Sequence, residues 1–309
     1  MSLVHRVIDS PELLLKGAKD PALAPLVLNR VYHQTRNGYE YNRDGVDVID
    51  DEDWDNLIIL DACRYDEYEE LTPFQGEVET RTSRGSSSSQ FVYGNFNGKR
   101  CHDLVYVSGN RWYPQLKETG KLDAEVHAHH DIERDAVDGY VPSPKQATEA
   151  ALEMAAESPN KRLLIHYMQP HKPYLGDHAE AFRYEVEADY GLREVMRAFD
   201  IDREKLRPAY RGNLSLVFEH VQRLVEELDG KTVISSDHGE MLGDRLSPIP
   251  VRWYGHPSRV YVPELTEVPW QVVSDGPRRE ITSDPPVSRD TEYDAEALAE
   301  SLRNLGYKV

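Results

Sequence analysis

Cysteine is nearly missing from this chain: Cys63 and Cys101 are the only two in 309 residues. A disulfide-stapled scaffold is therefore excluded, and ordinary apolar burial has to hold the fold. Long apolar runs are missing too. No window approaches the ~20 consecutive apolar residues that a bilayer-spanning helix needs, and residues 1–16 place Asp9 and Glu12 where a secretory leader would be apolar. The expectation is a soluble, cytoplasmic protein with no membrane anchor of its own. Positive charge is also in deficit, with 36 Lys and Arg against 55 Asp and Glu and a net charge of −19. Such a surface repels polyanions, and no basic stripe interrupts it, so nucleic-acid binding is excluded as a function class. An anionic substrate would need a local positive field here, which a divalent cation supplies.

What is present reads as an α/β protein. Short apolar runs at 56–60 (NLIIL), 104–108, 161–167 and 231–236 predict strands, with later ones at 259–262 and 270–273. Helical spacing predicts helices at 144–158, 192–199, 211–228 and 294–305. Strands alternating with helices imply a three-layer sandwich around a largely parallel sheet. Residues 1–53 are polar, with one helix predicted at 11–17, and read as a lead-in packed on a single α/β domain at 54–309. The Pro/Asp/Ser/Arg-rich stretch 275–291 reads as a surface loop.

In open α/β sheets ligands gather beyond the carboxyl ends of the strands, and polar clusters follow three of the predicted strands directly. Asp61 ends the first; an acid there is either a helix N-cap or a group paired with a cation. The segment IHYMQPHKPY carries His166, read as a core histidine on its strand, and His171, which lies beyond it in a Pro-flanked turn as the better ligand or acid–base group. Asp237 and His238 are adjacent at the end of the fourth strand, in ISSDHGEMLGD; carboxylate plus imidazole suits a borderline divalent metal, the alternative being a capping Asp beside an exposed His. His256 follows in a tight turn, YGHP.

These clusters, in this order, resemble the alkaline-phosphatase superfamily and within it the sulfatase-like branch. NLIILDACRYD resembles the branch's first strand with its metal-binding Asp, HYMQPHKPY its His-x-x-x-Pro-His-x-Pro-Tyr segment, and SSDHGEMLGD the element completing the metal site. The resemblance runs from residue 56 to 273. It implies a metal held by Asp61, Asp237, His238 and Ser88, the ion being zinc, manganese, magnesium or calcium. It also implies a hydroxyl nucleophile in TSRGSSSSQFVYGNF, Ser88 first and Ser87 next, with His171 or His256 at the leaving group or a non-bridging oxygen and Arg84 and Lys172 adding charge.

The activity implied is hydrolysis or transfer of phosphate mono- or diesters, on a small molecule or a glycan. Neither cysteine has the Cys/Ser-x-Pro-x-Arg context of formylglycine sulfatases. Gln169 stands where relatives often carry Asp, and Ala62 where sulfatases place a second Asp. Sulfate-ester hydrolysis, or a non-catalytic descendant that binds metal or phosphorylated glycans, are the alternatives. A second metal through His171 and His256 is left open. His127, His129 and His130 in HAHH read as a solvated loop.

Overall fold

The predicted strand at 56–60 is β1 (Asn56–Leu60), and every residue of it is buried because it lies mid-sheet with helices on both faces. The computed structural model describes residues 23–133, 141–182, 191–287 and 295–304. Its main elements, in chain order, are α1 (Ala24–Asn37), β1, α2 (Tyr65–Leu71), β2 (Glu79–Thr82), α3 (Ser88–Phe96), β3 (Lys99–Ser108), α4 (Trp112–Glu118), β4 (Ala124–Asp131), α5 (Pro144–Glu157) and β5 (Arg162–Tyr167). There follow α6 (Leu192–Ala198), α7 (Leu206–Glu227), β6 (Lys231–Ser235), β7 (Met241–Arg245), β8 (Arg252–Gly255), α8 (Pro263–Thr266), β9 (Glu267–Asp275) and α9 (Ala295–Asn304).

Seven strands form one sheet in the order β2-β9-β6-β1-β5-β3-β4. The five from β6 to β4 are parallel, and β9 and β2 close one edge antiparallel. This is the expected α/β class. Strand alternation sorts the core into two layers. Leu57 and Ile59 face the side of α3 and α4, packing with Phe91, Phe96, Tyr106 and Leu164. Ile58 and Leu60 face α2, α5 and α7, packing with Tyr68, Ala151, Met154, Val217 and Val221. Truncating a fully buried β1 side chain leaves a cavity that a strand fixed on both edges cannot close. Ile58→Ala is therefore expected to lower stability by about 2–5 kcal/mol, read as a lower urea midpoint at unchanged slope.

Several sequence expectations are corrected. Residues 259–262 are not a strand: Arg259 has φ +66, and Val260 and Val262 are buried with Leu26, Met241 and Leu265. The alternation there serves packing, not pairing. The HAHH residues lie on β4, an edge strand parallel to β3, not in a loop. His129 rests against the rings of Tyr106 and Tyr113 at 5.4 and 5.0 Å, and burial pushes its imidazole down to about 3.

Helix α1 was not foreseen, because part of its buried face is polar. Asn29 exchanges two 2.9 Å hydrogen bonds with the backbone of Ile249, and His33 Nε2 lies 2.8 Å from Ser247 O. The helix predicted at 11–17 lies outside the described residues. Residues 276–287 run without helix or strand, as expected, while Asp275 ends β9. Among the described residues no helix is long and apolar enough to cross a membrane.

Candidate active site

The carboxyl ends of β1, β5 and β6 lie side by side, so Asp61, His166 and the Asp237–His238 pair meet at one edge of the sheet. Asp61, His166, Asp237 and His238 are all fully buried. The backbone that aims them is tightly specified. Ala62 has φ +60, a conformation uncommon outside glycine, and in it the Ala62 N–H donates to Asp237 Oδ1 at 3.0 Å. The His238 N–H donates to the same oxygen at 2.8 Å. With Oδ1 so held, Asp237 Oδ2 turns inward. Gly239 is required next, since a Cβ there would lie 2.2 Å from Glu264 O.

Three inward atoms, Asp61 Oδ1, Asp237 Oδ2 and His166 Nε2, are buried with no hydrogen-bond partner. His166 Nε2 is 3.6 Å from both Asp61 Oδ2 and Asp237 Oδ2, and His238 Nε2 is 3.4 Å from Asp237 Oδ2 and 3.8 Å from Asp61 Oδ1. Most of these gaps are too long for good hydrogen bonds. They are close to the ~3.3 Å separation of tetrahedral ligands held at about 2.0–2.1 Å from a metal. Two buried carboxylates facing one another are also costly unless a cation or a shared proton offsets their charge. Burial alone would raise the Asp61 carboxyl, but His166, with His238 and His256 behind it, holds it below its usual range.

The imidazoles are turned for ligation. His238 Nδ1 lies 2.8 Å from Gly239 O and His171 Nδ1 lies 2.7 Å from Lys172 O, contacts that fix the proton on Nδ1 and leave Nε2 as the lone-pair nitrogen. His166 Nδ1 is 3.0 Å from Tyr106 OH.

Ser88 opens α3 and reaches this group: its Oγ is 3.3 Å from Asp61 Oδ2 and 3.3 Å from His238 Nε2. The other serines of the run have different tasks. Ser86 Oγ donates within reach of Gln90 Oε1 (3.0 Å) and Pro257 O (3.2 Å), and Ser87 Oγ meets Ser89 Oγ and Ser258 Oγ at 3.2 and 3.1 Å. The run is thus a packed helix start rather than a mobile loop. Asn110, just beyond β3, donates from Nδ2 to Asp61 Oδ2 at 2.8 Å.

A second cluster adjoins the first. His171, Glu240 and His256 bring three ligand-type atoms together, and the His256 ring lies 5.1 Å from His171 and 4.5 Å from His238. His256 Nδ1 is 3.2 Å from Glu240 Oε1. Burial would raise the Glu240 carboxyl, yet His256 draws it below its usual range; burial likewise would lower His256, and Glu240 raises it. His171 is pushed down to about 3 by burial and by His256. Both clusters have the composition and spacing to hold a divalent metal.

His166, Glu240 and Asn110 are site residues that sequence reasoning did not select. His166 was read as a core histidine and faces the two carboxylates instead. Glu240 was visible within the Asp-His-Gly-Glu element; Asn110 had no signal. Arg84 is committed elsewhere, donating to Asp47 Oδ2 and Gly94 O at 2.6 Å each. Lys172 lies in the field of Glu240, and burial lowers it to about 8. Cys63 is buried and its thiol is pushed well above its usual value, which removes it as a nucleophile.

No family model matches the chain, and no curated protein matches it. Solved structures do. The chain is similar to the C-terminal periplasmic domain of phosphoethanolamine transferase EptC from Campylobacter jejuni, at 13% identity over 70% of this chain and 76% of that one, with a TM-score of 0.43. It is similar to BT1596, a 2-O GAG sulfatase, at 12% identity over 74% and 65% of the two chains, TM-score 0.43. A protein in the alkaline phosphatase superfamily from Vibrio parahaemolyticus matches at 12% identity over 83% and 70%, TM-score 0.40.

Proposed function

We propose that this chain is a metal-dependent hydrolase or transferase of phosphate mono- or diesters with Ser88 as its nucleophile. One observation carries the reading: a buried hydroxyl at the start of a helix, 3.3 Å from both a carboxylate and an imidazole, beside three inward-facing polar atoms with no hydrogen-bond partner. A divalent cation bound there would lower the pKa of the Ser88 hydroxyl and neutralise charge on the ester oxygens.

Asp61, Asp237, His238 and Ser88 would hold that cation, with His166 as a further ligand. Carboxylate plus imidazole donors favour zinc or manganese over magnesium or calcium. The chain's own groups account for the remaining steps. The start of α3 presents backbone N–H groups and the positive end of the helix to an incoming anion. Asn110 keeps the Asp61 carboxylate oriented. With its proton lost to solvent, Ser88 Oγ would attack phosphorus in line as the bond to the leaving alkoxide breaks, giving a phosphoserine; water or an acceptor alcohol then takes the phosphoryl group, and the proton it loses returns to Ser88 Oγ. His256, whose charged form burial disfavours and Glu240 favours, would give the leaving oxygen its proton, and Lys172 would add positive charge. An unmodified serine nucleophile requires no formylglycine, in keeping with the missing Cys/Ser-x-Pro-x-Arg context.

The test is metal analysis of the full chain together with turnover on aryl phosphate, phosphodiester and aryl sulfate panels. Stoichiometric metal with phosphate-ester turnover is the expected result. Turnover of sulfate esters alone would replace this reading with the sulfatase one, and metal without turnover on any ester would replace it with a non-catalytic binding role.

A further inference from the structure

The hairpin of β7 and β8 is tied to the site at both ends, since Glu240 precedes its first residue and His256 follows its last. One side of this hairpin and the start of α7 enclose an open cavity of about 550 Å³. Its lining includes Arg203, Arg207, Arg211 and Arg252, with Glu204 the one acid among the lining residues and Tyr254 beside them. Four guanidiniums gathered in one cavity stand out in a chain of net charge −19.

Two of the four are fixed from behind. Glu67, almost fully buried, takes Arg207 Nη1 at 2.9 Å and Arg211 Nε at 2.6 Å, and Glu70 takes Arg211 Nη2 at 2.5 Å. Arg252 donates to Gly243 O at 2.7 Å and makes no ion pair among the described residues, and in the hairpin register it stands directly opposite Arg245. Like charges directly opposed across a ladder are destabilising. Arg203 makes no ion pair among the described residues. Arg207 is also the second residue of the 22-residue helix α7, whose positive end adds to the same field. Tyr254 packs against Gly243, where a Cβ would come within 3.0 Å of its ring, and forms part of the cavity lining.

We propose that this cavity is an anion-binding site for a phosphate or sulfate group. Its use rests on the ester-transfer reading: it takes a second anionic group of the substrate while the scissile ester lies at Ser88, so that the preferred substrates carry more than one anionic group. The protein's overall field repels such molecules, and the arginine cavity supplies the local attraction that admits them.

The binding arm titrates inorganic pyrophosphate calorimetrically into metal-free Asp237→Asn protein, in which the metal centre does not contribute. Saturable binding is expected, weakened at least 10-fold in the added double variant Arg203→Ala/Arg252→Ala and partly recovered with Lys at both positions, with unchanged circular dichroism. Absence of binding, or binding indifferent to the arginines, overturns the site. The turnover arm compares kcat/KM for a bis-phosphorylated ester and a mono-anionic aryl phosphate. A loss of at least 10-fold confined to the former is expected in the double variant; equal loss on both, or none on either, overturns the substrate role. If no ester is turned over, the ester-transfer reading fails while the calorimetric arm still decides the cavity.

Discussion

Asp237→Asn will abolish metal retention and lower ester turnover by about 10³-fold or more, since even one charge-stabilising donor at a reaction centre is worth 10²–10³. Asparagine is the informative substitution. Asp237 Oδ1 accepts from the Ala62 and His238 N–H groups, and alanine would strand both donors in the interior, at about 1–3 kcal/mol each. Asparagine can keep its oxygen on those donors and turn its amide N–H toward the cation, where a ligand is needed. Two effects then separate. The metal-free variant should melt no lower than the metal-free parent, because one of two facing buried carboxylates has been neutralised. Added zinc or manganese should raise the melting temperature of the parent and not of the variant. A variant that binds metal with parental stoichiometry by elemental analysis, or turns over esters normally, would end the proposed centre.

Ser88→Ala has the second large effect. Turnover should fall by about 10⁴-fold or more, on the scale seen when a nucleophile is removed from a serine enzyme, and covalent phosphoryl labelling should vanish. Metal content should stay near the parental value, because Asp61, Asp237, His238 and His166 still surround the centre. Ser87→Ala is the matched control: its hydroxyl meets Ser89 and Ser258, so turnover should hold within a few-fold. Labelling of an intact peptide containing residue 88 by mass spectrometry checks both. Full activity in Ser88→Ala would move the nucleophile elsewhere or require direct attack by water.

The parts legible in the sequence were those set by local pattern. NLIIL reads as a doubly buried strand because all five of its side chains are covered, and Asp61, which follows it, and the Asp237–His238 pair just beyond β6 are visible because they cluster at strand ends. Strands whose burial is one-sided or slight were missed. β2 is the polar edge ETRT with no buried residue, and in β4 the alternation of Ala124, Val126 and Ala128 is obscured by Glu125 and His127 between them and by His129 and His130 after them. His166 was legible as a strand residue but not as a site residue. Which face of β5 it takes depends on the register with β1, where it pairs with Ile59, and that is a long-range property. Asn110 depends on the end of β3 meeting the end of β1 through β5, which no local spacing encodes.

The stitching of the serine run bears on how the pocket can move. Ser86 meets Pro257 O and Val260 N, Ser87 meets Ser258, and Gln90 Oε1 takes the Arg259 N–H. The segment carrying His256 is thereby fastened to the start of α3, which ties the proposed nucleophile to the proposed proton donor. Their mutual spacing is built into the fold and survives any breathing of the pocket. Any movement that admits the proposed substrate would have to come from another wall.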